Sequence, residues 1–470
     1  MFQNLEIIDS PNLEIKYSPN LANDHSPNVL RSAIMLIMLE KYKIHNLFKA
    51  GLKEFIQSDP HLSTLSQQKY QYEANWWAEM YLDTPGIYIL TGGRQVGKST
   101  SCKLLIKHCL QNKVFTGSGI FYLPCQEIWD PKSLGQTIRF ILEEFGNERF
   151  LLIIDEITFV ENWDRVIFAL AEEGYFKKGL CLLTGSDTSI LKEAAVRFPG
   201  RRGKATKTDF HFYPLSFHDY VKLVSTKKIS PERLHELFGT FLQCGGYLRA
   251  INDFAESNSI SQATYLTYEQ WIRGDILKRG LREETLLAII AELIRTGVSQ
   301  ISYNKLTAKV GLIDKDTLIE YCNVLERMDV LFHLKAYDQN TKRGFPRKDR
   351  KFHFYDPFIY HVLYRWAFRE GYLEEMSSES EIVEAVVASH CYRHGNTYYF
   401  KGQGEVDVIR LVNKTVQAIE VKWSNKLRDN DLKTLKQFKN AVILTKQGVK
   451  GKMDDVRTIP VQQYLYDSET

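Results

Sequence analysis

The sequence predicts an α/β fold: a parallel sheet sandwiched by helices, then a helical unit with a hairpin, then a second α/β unit. Three observations predict it. Short apolar runs at 87–90, 120–123, 150–154 and 180–183 alternate with helical patterns, the signature of strands buried on both faces. A glycine-rich loop, Gly92-Gly93-Arg94-Gln95-Val96-Gly97-Lys98-Ser99, follows the first run and opens a helix beginning at Thr100. Mixed helix and strand patterning returns over 380–466.

At 470 residues the chain has room for several domains. Apolar content of 44% and charged content of 25% are those of an ordinary globular protein, and 61 basic against 57 acidic residues confine any basic surface to local patches. Seven cysteines without a C-x-x-C pair argue for reduced thiols rather than a disulfide framework. The first residues lack the charged and apolar segments of a secretory signal, and the greasiest run, 33–39, is too short to cross a bilayer. A cytoplasmic protein with no membrane span is expected.

The expected organisation is a partly helical N-terminal extension over 1–69 and a sheet core over 70–225. A helical connector follows over 226–284, then a helix-turn-helix region over 285–375 and a second α/β domain over 376–470. Residues 1–27 read as a loose lead-in and 30–56 as a helix packing one apolar side.

Gly92 to Ser99 completes G-x-x-x-x-G-K-[ST], a phosphate loop. Its backbone N–H groups and the helix N-terminus would cradle the phosphates of ATP, Lys98 would reach the terminal ones, and Ser99 would hold Mg²⁺. The run 150–154 ends in Asp155-Glu156, the form of a Walker B strand. Asp155 suits the magnesium shell and Glu156 the orientation of attacking water. The next strand ends Leu183-Thr184-Gly185-Ser186, where either Thr184 or Ser186 can contact the γ-phosphate. Arg201, in a loop with Arg202, is the candidate for charge stabilisation, delivered in trans if the protein assembles as a homo-oligomer.

These elements, with Pro214-Leu215-Ser216-Phe217 and Gly245-Gly246-Tyr247 downstream, stand in an order that resembles a widespread prokaryotic family of AAA-type P-loop ATPases. The resemblance spans about 70–466. It implies a winged-helix region and a C-terminal domain similar to restriction endonucleases after the ATPase core. The first 65 or so residues are longer than that family's usual N-terminus.

The residues support both implied units. Helical segments at 286–294, 302–310 and 316–328, with a short turn at 311–314, have helix-turn-helix spacing, and 330–335 and 351–355 suit a hairpin. Its wing carries Lys342, Arg343, Arg347, Lys348, Arg350 and Lys351, cations suited to phosphate contacts on DNA. A winged helix serves equally for protein packing. In the tail, Glu384 in a helix, Asp407 at the start of a strand, and Glu420 and Lys422 at the end of the next are similar to the PD-(D/E)xK nuclease pattern. Asp407 and Glu420 would hold a second Mg²⁺ and Lys422 would assist. Eight Lys/Arg against two Asp over 422–450 suit a polyanion. The expectation is an ATPase coupled to a metal-dependent nuclease-like domain acting on DNA. Its rival is an ATP-driven switch or DNA-binding regulator whose tail binds without cutting.

Overall fold

Strands β1 (Gly86–Thr91), β2 (Ile120–Pro124), β3 (Leu151–Asp155) and β4 (Leu180–Gly185) are buried along their whole length, as continuous apolar runs require. In the computed structural model, which describes residues 40–187, 191, 202–225, 228–368, 379–412, 415–423, 429–448, 451–453 and 456–468, they join β5 (Asp209–His211) in a parallel sheet ordered β2-β3-β4-β1-β5. Strand alternation divides the core in two. Ile87, Ile89, Phe121, Leu152, Ile154 and Leu183 enter one apolar cluster; Tyr88, Leu90, Tyr122, Ile153 and Leu182 enter the other. Helix Lys98–Gln111 packs on the second face, where Cys102, Leu105 and Ile106 are fully buried.

The N-terminal extension belongs to this core, because Phe48, Phe55, Leu62 and Leu65 join the second cluster. The helix expected over 30–56 is broken where it is described: single turns Lys43–His45 and Leu47–Ala50 precede helix Leu52–Ser58. Gly51 separates them with φ +129°, a conformation that interrupts a helix. Asp59 then caps helix Pro60–Ser66 by accepting from His61 N (3.0 Å) and Leu62 N (3.2 Å). Its other oxygen lies 3.1 Å from Lys103 Nζ, both side chains fully buried.

Helices Phe217–Val224, Pro231–Cys244, Leu248–Ser257 and Gln262–Lys278 form the connector. Helix Glu283–Thr296 and strand β6 (Gln300–Ile301) follow, then helices Tyr303–Val310 and Lys315–Arg327. Next come β7 (Leu331–Lys335), the short pair β8 (Tyr337–Asp338) and β9 (Arg343–Gly344), and β10 (Arg350–Phe354). Strand β10 is central in an antiparallel sheet ordered β6-β10-β7.

Helices Pro357–Phe368 and Glu379–Arg393 lead into a six-stranded sheet. Its strands are β11 (Thr397–Lys401), β12 (Glu405–Val412), β13 (Thr415–Lys422), β14 (Asn440–Thr445), β15 (Gly451–Met453) and β16 (Val456–Pro460), ordered β11-β12-β13-β14-β16-β15. A single apolar cluster running from Leu215 to Leu465 joins connector, hairpin unit and tail. Two of its joints use the motifs noted above. Leu215 N donates to Gly246 O (2.8 Å), and Gly246 N donates to the buried carboxylate of Asp356 (2.8 Å). All seven cysteines are free and buried, and among the described residues no helix is long and apolar enough to cross a membrane.

Candidate functional site

The loop 92–99 leaves β1 and turns into helix Lys98–Gln111. Gly92 cannot carry a side chain, since a β-carbon there would collide with the Phe212 carbonyl oxygen, and Gly97 has φ +103°. Gln95 also adopts positive φ (58°), and its carbonyl accepts from Tyr268 OH at 3.2 Å. The connector thus touches the loop directly. Lys98 is buried and donates to Gly92 O (2.9 Å) and Gly93 O (2.8 Å), with Glu156 Oε1 3.4 Å away.

Asp155 ends β3 and gathers three hydroxyl donors. Ser99 Oγ (2.7 Å) and Tyr122 OH (2.6 Å) reach Oδ2, and Thr184 Oγ1 reaches Oδ1 at 2.5 Å. Burial, reinforced by Asp155, pushes the Tyr122 hydroxyl well above its usual range, so it stays a donor. Glu156 stands in the left-handed region (φ 54°), strained for a non-glycine residue. Two bonds hold it there: its N–H donates to Thr184 Oγ1 (2.9 Å), and its Oε2 accepts from Ser186 N (3.0 Å). The side chain faces a cleft of about 940 Å³, shared with 94–101, His61, Thr64 and Tyr72 of the N-terminal segment, and Leu248, Arg249 and Asn252 of the connector.

Ser99, Asp155, Glu156 and Lys98 therefore converge as expected. Thr184 is displaced from its expected role: fully buried, it braces the two acids and does not line the cleft. Ser186 receives Arg94 Nε (3.2 Å), and Arg94 also pairs with Asp275 of the connector (3.0 Å). Arg201 lies outside the described residues, while Arg202 is committed to Asp209 through two bonds of 2.6 and 2.7 Å. Sequence reading missed Tyr122, Arg249 and the N-terminal wall. Tyr122 is spaced only as a strand residue, and the others reach the cleft through tertiary packing.

In the tail, helix Glu379–Arg393 and β12 bring Glu384 and Asp407 to one point, and that point is held by a lysine. Lys351 Nζ lies 3.0 Å from Glu384 Oε1, 3.1 Å from Asp407 Oδ1 and 2.8 Å from Glu405 Oε1. This corrects the expectation for Lys351. It is 2% exposed and points into the tail rather than onto the wing. The physical reason is strand alternation, which sends it to the face opposite Arg350. Arg350 stacks on the Tyr303 ring (4.5 Å) and donates to Pro346 O (3.1 Å). Lys342, Arg343, Arg347 and Lys348 are exposed.

Asp407 Oδ2 accepts from Val421 N (2.9 Å), and Lys422 Nζ lies 2.7 Å from Glu420 Oε1. Burial, then the Asp407 charge, pushes the Glu384 and Glu420 carboxyls up to about 8, with Lys351 and Lys422 pulling them back. Burial works against the Lys351 ammonium, but Asp407, Glu384 and Glu405 outweigh it and raise its pKa further. Glu420 Oε2 is buried without a hydrogen-bond partner among the described residues. Among those residues no set of three or more His, Cys, Asp or Glu is arranged to hold a metal ion.

Comparison with known proteins agrees with the core. Residues 84–221 match the family described as AAA domain, 235–370 match Domain of unknown function (DUF8612), and 378–464 match Domain of unknown function (DUF4143). An uncharacterized protein of Methanocaldococcus jannaschii is 24% identical over 397 residues, 76% of this chain and 80% of its own length. One from Haemophilus influenzae is 24% identical over 292 residues, 59% of this chain and 68% of its own. Among solved structures, a Walker-type ATPase of Pyrococcus abyssi is similar at 15% identity, covering 62% of this chain and 94% of that one, with a TM-score of 0.43. The Aeropyrum pernix ORC2 protein follows at 11% identity, covering 67% and 94%, with a TM-score of 0.36. The region that matches the AAA domain model, 84–221, is the one that carries the five-stranded parallel sheet.

Proposed function

We propose that this protein binds and hydrolyses ATP with Mg²⁺ at the loop 92–99 and couples that cycle, through a winged helix-turn-helix, to a metal-dependent nuclease-like domain acting on DNA. The observation that carries the ATPase half is the Ser99–Asp155 bond beside Lys98 and Glu156. A hydroxyl and a strand-end carboxylate in contact are the donor set a magnesium ion takes beside a triphosphate, so the residues fit that ion. The ion would neutralise charge on the phosphates. Lys98 would exchange its two carbonyl partners for phosphate oxygens. Glu156, fixed by Thr184 and Ser186, would orient a water for attack on the γ-phosphorus as the bond to the bridging oxygen breaks, giving ADP and inorganic phosphate. Arg201 remains the candidate for a trans arginine in a homo-oligomer.

The order helix, strand, helix, helix, hairpin over 283–354 supports the winged-helix reading, and the four exposed cations of the wing support phosphate contact. Exposed residues of helix Lys315–Arg327 include Asp316 and Glu320, so charge favours the wing as the contact. Glu384, Asp407, Glu420 and Lys422 on a helix and two paired strands support the nuclease-like reading of the tail. The Lys351 contact favours the rival, a DNA-binding switch that does not cut in this state.

The test is phosphate release and plasmid integrity in Mg²⁺ with the full chain. Lys98→Ala should lose ATP binding. Glu156→Gln should keep it while hydrolysis falls about 10²–10⁴-fold, and a rate equal to wild type would remove Glu156 from the reaction. Plasmid loss that survives Asp407→Ala would end the nuclease reading.

A further inference from the structure

Among the described residues, Lys351 is a buried charge at the tail site that comes from another unit. It stands on β10, 33 residues before Glu384 and 56 before Asp407, and its three ammonium protons match three carboxylates one for one. One of those carboxylates, Asp407, is a ligand that the metal-dependent reading of the tail requires, and Glu384 is the helix carboxylate of the same pattern. Their oxygens, Glu384 Oε1 and Asp407 Oδ1, each lie within 3.1 Å of one nitrogen atom. A group of buried carboxylates must be compensated by a cation, and an ammonium and a divalent ion compete for the same oxygens. The contact is built on both sides. Gln300 of β6 donates to Glu405 Oε2 (2.7 Å), and Tyr399 OH donates to Asp349 O (2.7 Å), so the hairpin unit is bonded to the tail around the lysine. Glu420, paired with Lys422, keeps one buried oxygen without a hydrogen-bond partner among the described residues.

We propose that Lys351 is a tethered cation holding the place of a divalent ion between Glu384 and Asp407, so that the tail takes up metal only when the hairpin unit withdraws it. The proposal rests on the reading of the tail as metal-binding. It makes the tail closed in the arrangement described here, with the key supplied by the chain itself.

The experiment is Mn²⁺ binding by the full chain without nucleotide, read by electron paramagnetic resonance and by the Mn²⁺-induced shift in melting temperature. Wild type should show no site that depends on Asp407. Lys351→Met should gain one that disappears when Asp407→Ala is added. Glu405→Gln removes the negative charge from one of the three contacts to Lys351 at a partly exposed position, and it should give a smaller gain in the same direction. Should Lys351→Met fail to fold, Glu405→Gln decides alone, and no gain in it overturns the proposal. So does an Asp407-dependent site in wild type as tight as in Lys351→Met, or a folded Lys351→Met without the new site. Plasmid cleavage separates the two readings. A gained Mn²⁺ site with no cutting leaves the tethered cation and removes the nuclease; cutting by wild type with metal already bound does the reverse.

Discussion

If the wing carries this protein onto DNA, the salt dependence of binding should count its exposed cations, and the structure changes that count. Six lysines and arginines stand between Lys342 and Lys351 in the sequence. Lys351 is buried among carboxylates and Arg350 is occupied by Tyr303 and Pro346, which leaves Lys342, Arg343, Arg347 and Lys348. Each phosphate neutralised contributes a slope of about −0.9 in log K against log salt, so four contacts give about −3.6. Raising salt fourfold, from about 50 to about 200 mM, should then weaken binding roughly 150-fold. Six contacts would give a slope of about −5.4 and a loss near 2,000-fold. Fluorescence anisotropy on a labelled duplex across that range distinguishes the two. Replacing the four exposed residues with alanine should flatten the slope almost to zero. A slope that survives the fourfold substitution would place the contacts elsewhere. A wild-type slope near the six-contact value would mean that Arg350 and Lys351 reach phosphate, contrary to their placement.

Two further predictions concern buried ionisable groups. Burial, with Lys351 adding to it, lowers the His353 pKa to about 3, and neither ring nitrogen has a hydrogen-bond partner among the described residues. Its folded pKa lies below the unfolded value of 6.5, so the unfolded chain gains the proton first and stability falls as pH drops from about 6.5 toward 3. Between pH 7 and pH 5 this costs about 2 kcal/mol. His353→Leu should remove that part of the acid sensitivity in urea titrations at the two pH values; an unchanged difference would show that the imidazole is protonated in the folded state. The second concerns Asp59→Ala, which leaves the buried Lys103 ammonium without its counter-charge, on the His45 carbonyl and the Tyr122 ring, and removes a helix cap. It should cost about 3–5 kcal/mol, read as a lower urea midpoint, and a cost below about 1 kcal/mol would mean that water reaches Lys103.

How much of this was legible follows from where each constraint originates. The phosphate loop is readable because its chemistry acts through the local backbone: Gly92 has no room for a side chain and Gly97 needs positive φ, whatever the rest of the chain does. Strands β1 to β4 were readable because burial on both faces forces unbroken apolar runs. Strand β5 was not, since its three residues, Asp209 to His211, carry only one buried apolar side chain. The cap formed by Asp59 before Pro60 is a local signal, but its bond to Lys103 joins residues 44 apart and leaves no mark on spacing. Lys351 shows the limit most clearly. In the sequence it extends a run of wing cations, and Arg350 and Lys351 look equivalent. Alternation along β10 places them on opposite faces, and which face meets the tail depends on packing between units. Thr184 reads as a polar strand end facing phosphate; its full burial goes with the bonds its hydroxyl makes to the Asp155 carboxylate and the Glu156 N–H.

The position of Lys351 also limits how it can move. Its backbone is paired on both sides, with Leu334 of β7 and Gln300 of β6, so a single strand cannot slide out without breaking two ladders. Rotamer changes alone would leave the ammonium buried without its carboxylates, which is unfavourable. Withdrawal therefore requires the helix-and-hairpin unit to shift as a body against the tail. That same unit abuts the nucleotide site at the turn before β7. A β-carbon built on Gly93 would lie 3.0 Å from Met328 O, and Asp329 Oδ2 lies 2.9 Å from His211 Nε2, whose Nδ1 is 2.7 Å from Thr91 Oγ1 at the end of β1. Asp329 stands in the turn with φ 56°, and β7 begins two residues later, so Leu334, the partner of Lys351, lies about 10 Å along the strand from Leu331. A turn and the first residues of β7 thus connect the neighbourhood of Gly93 with the strand position paired to Lys351.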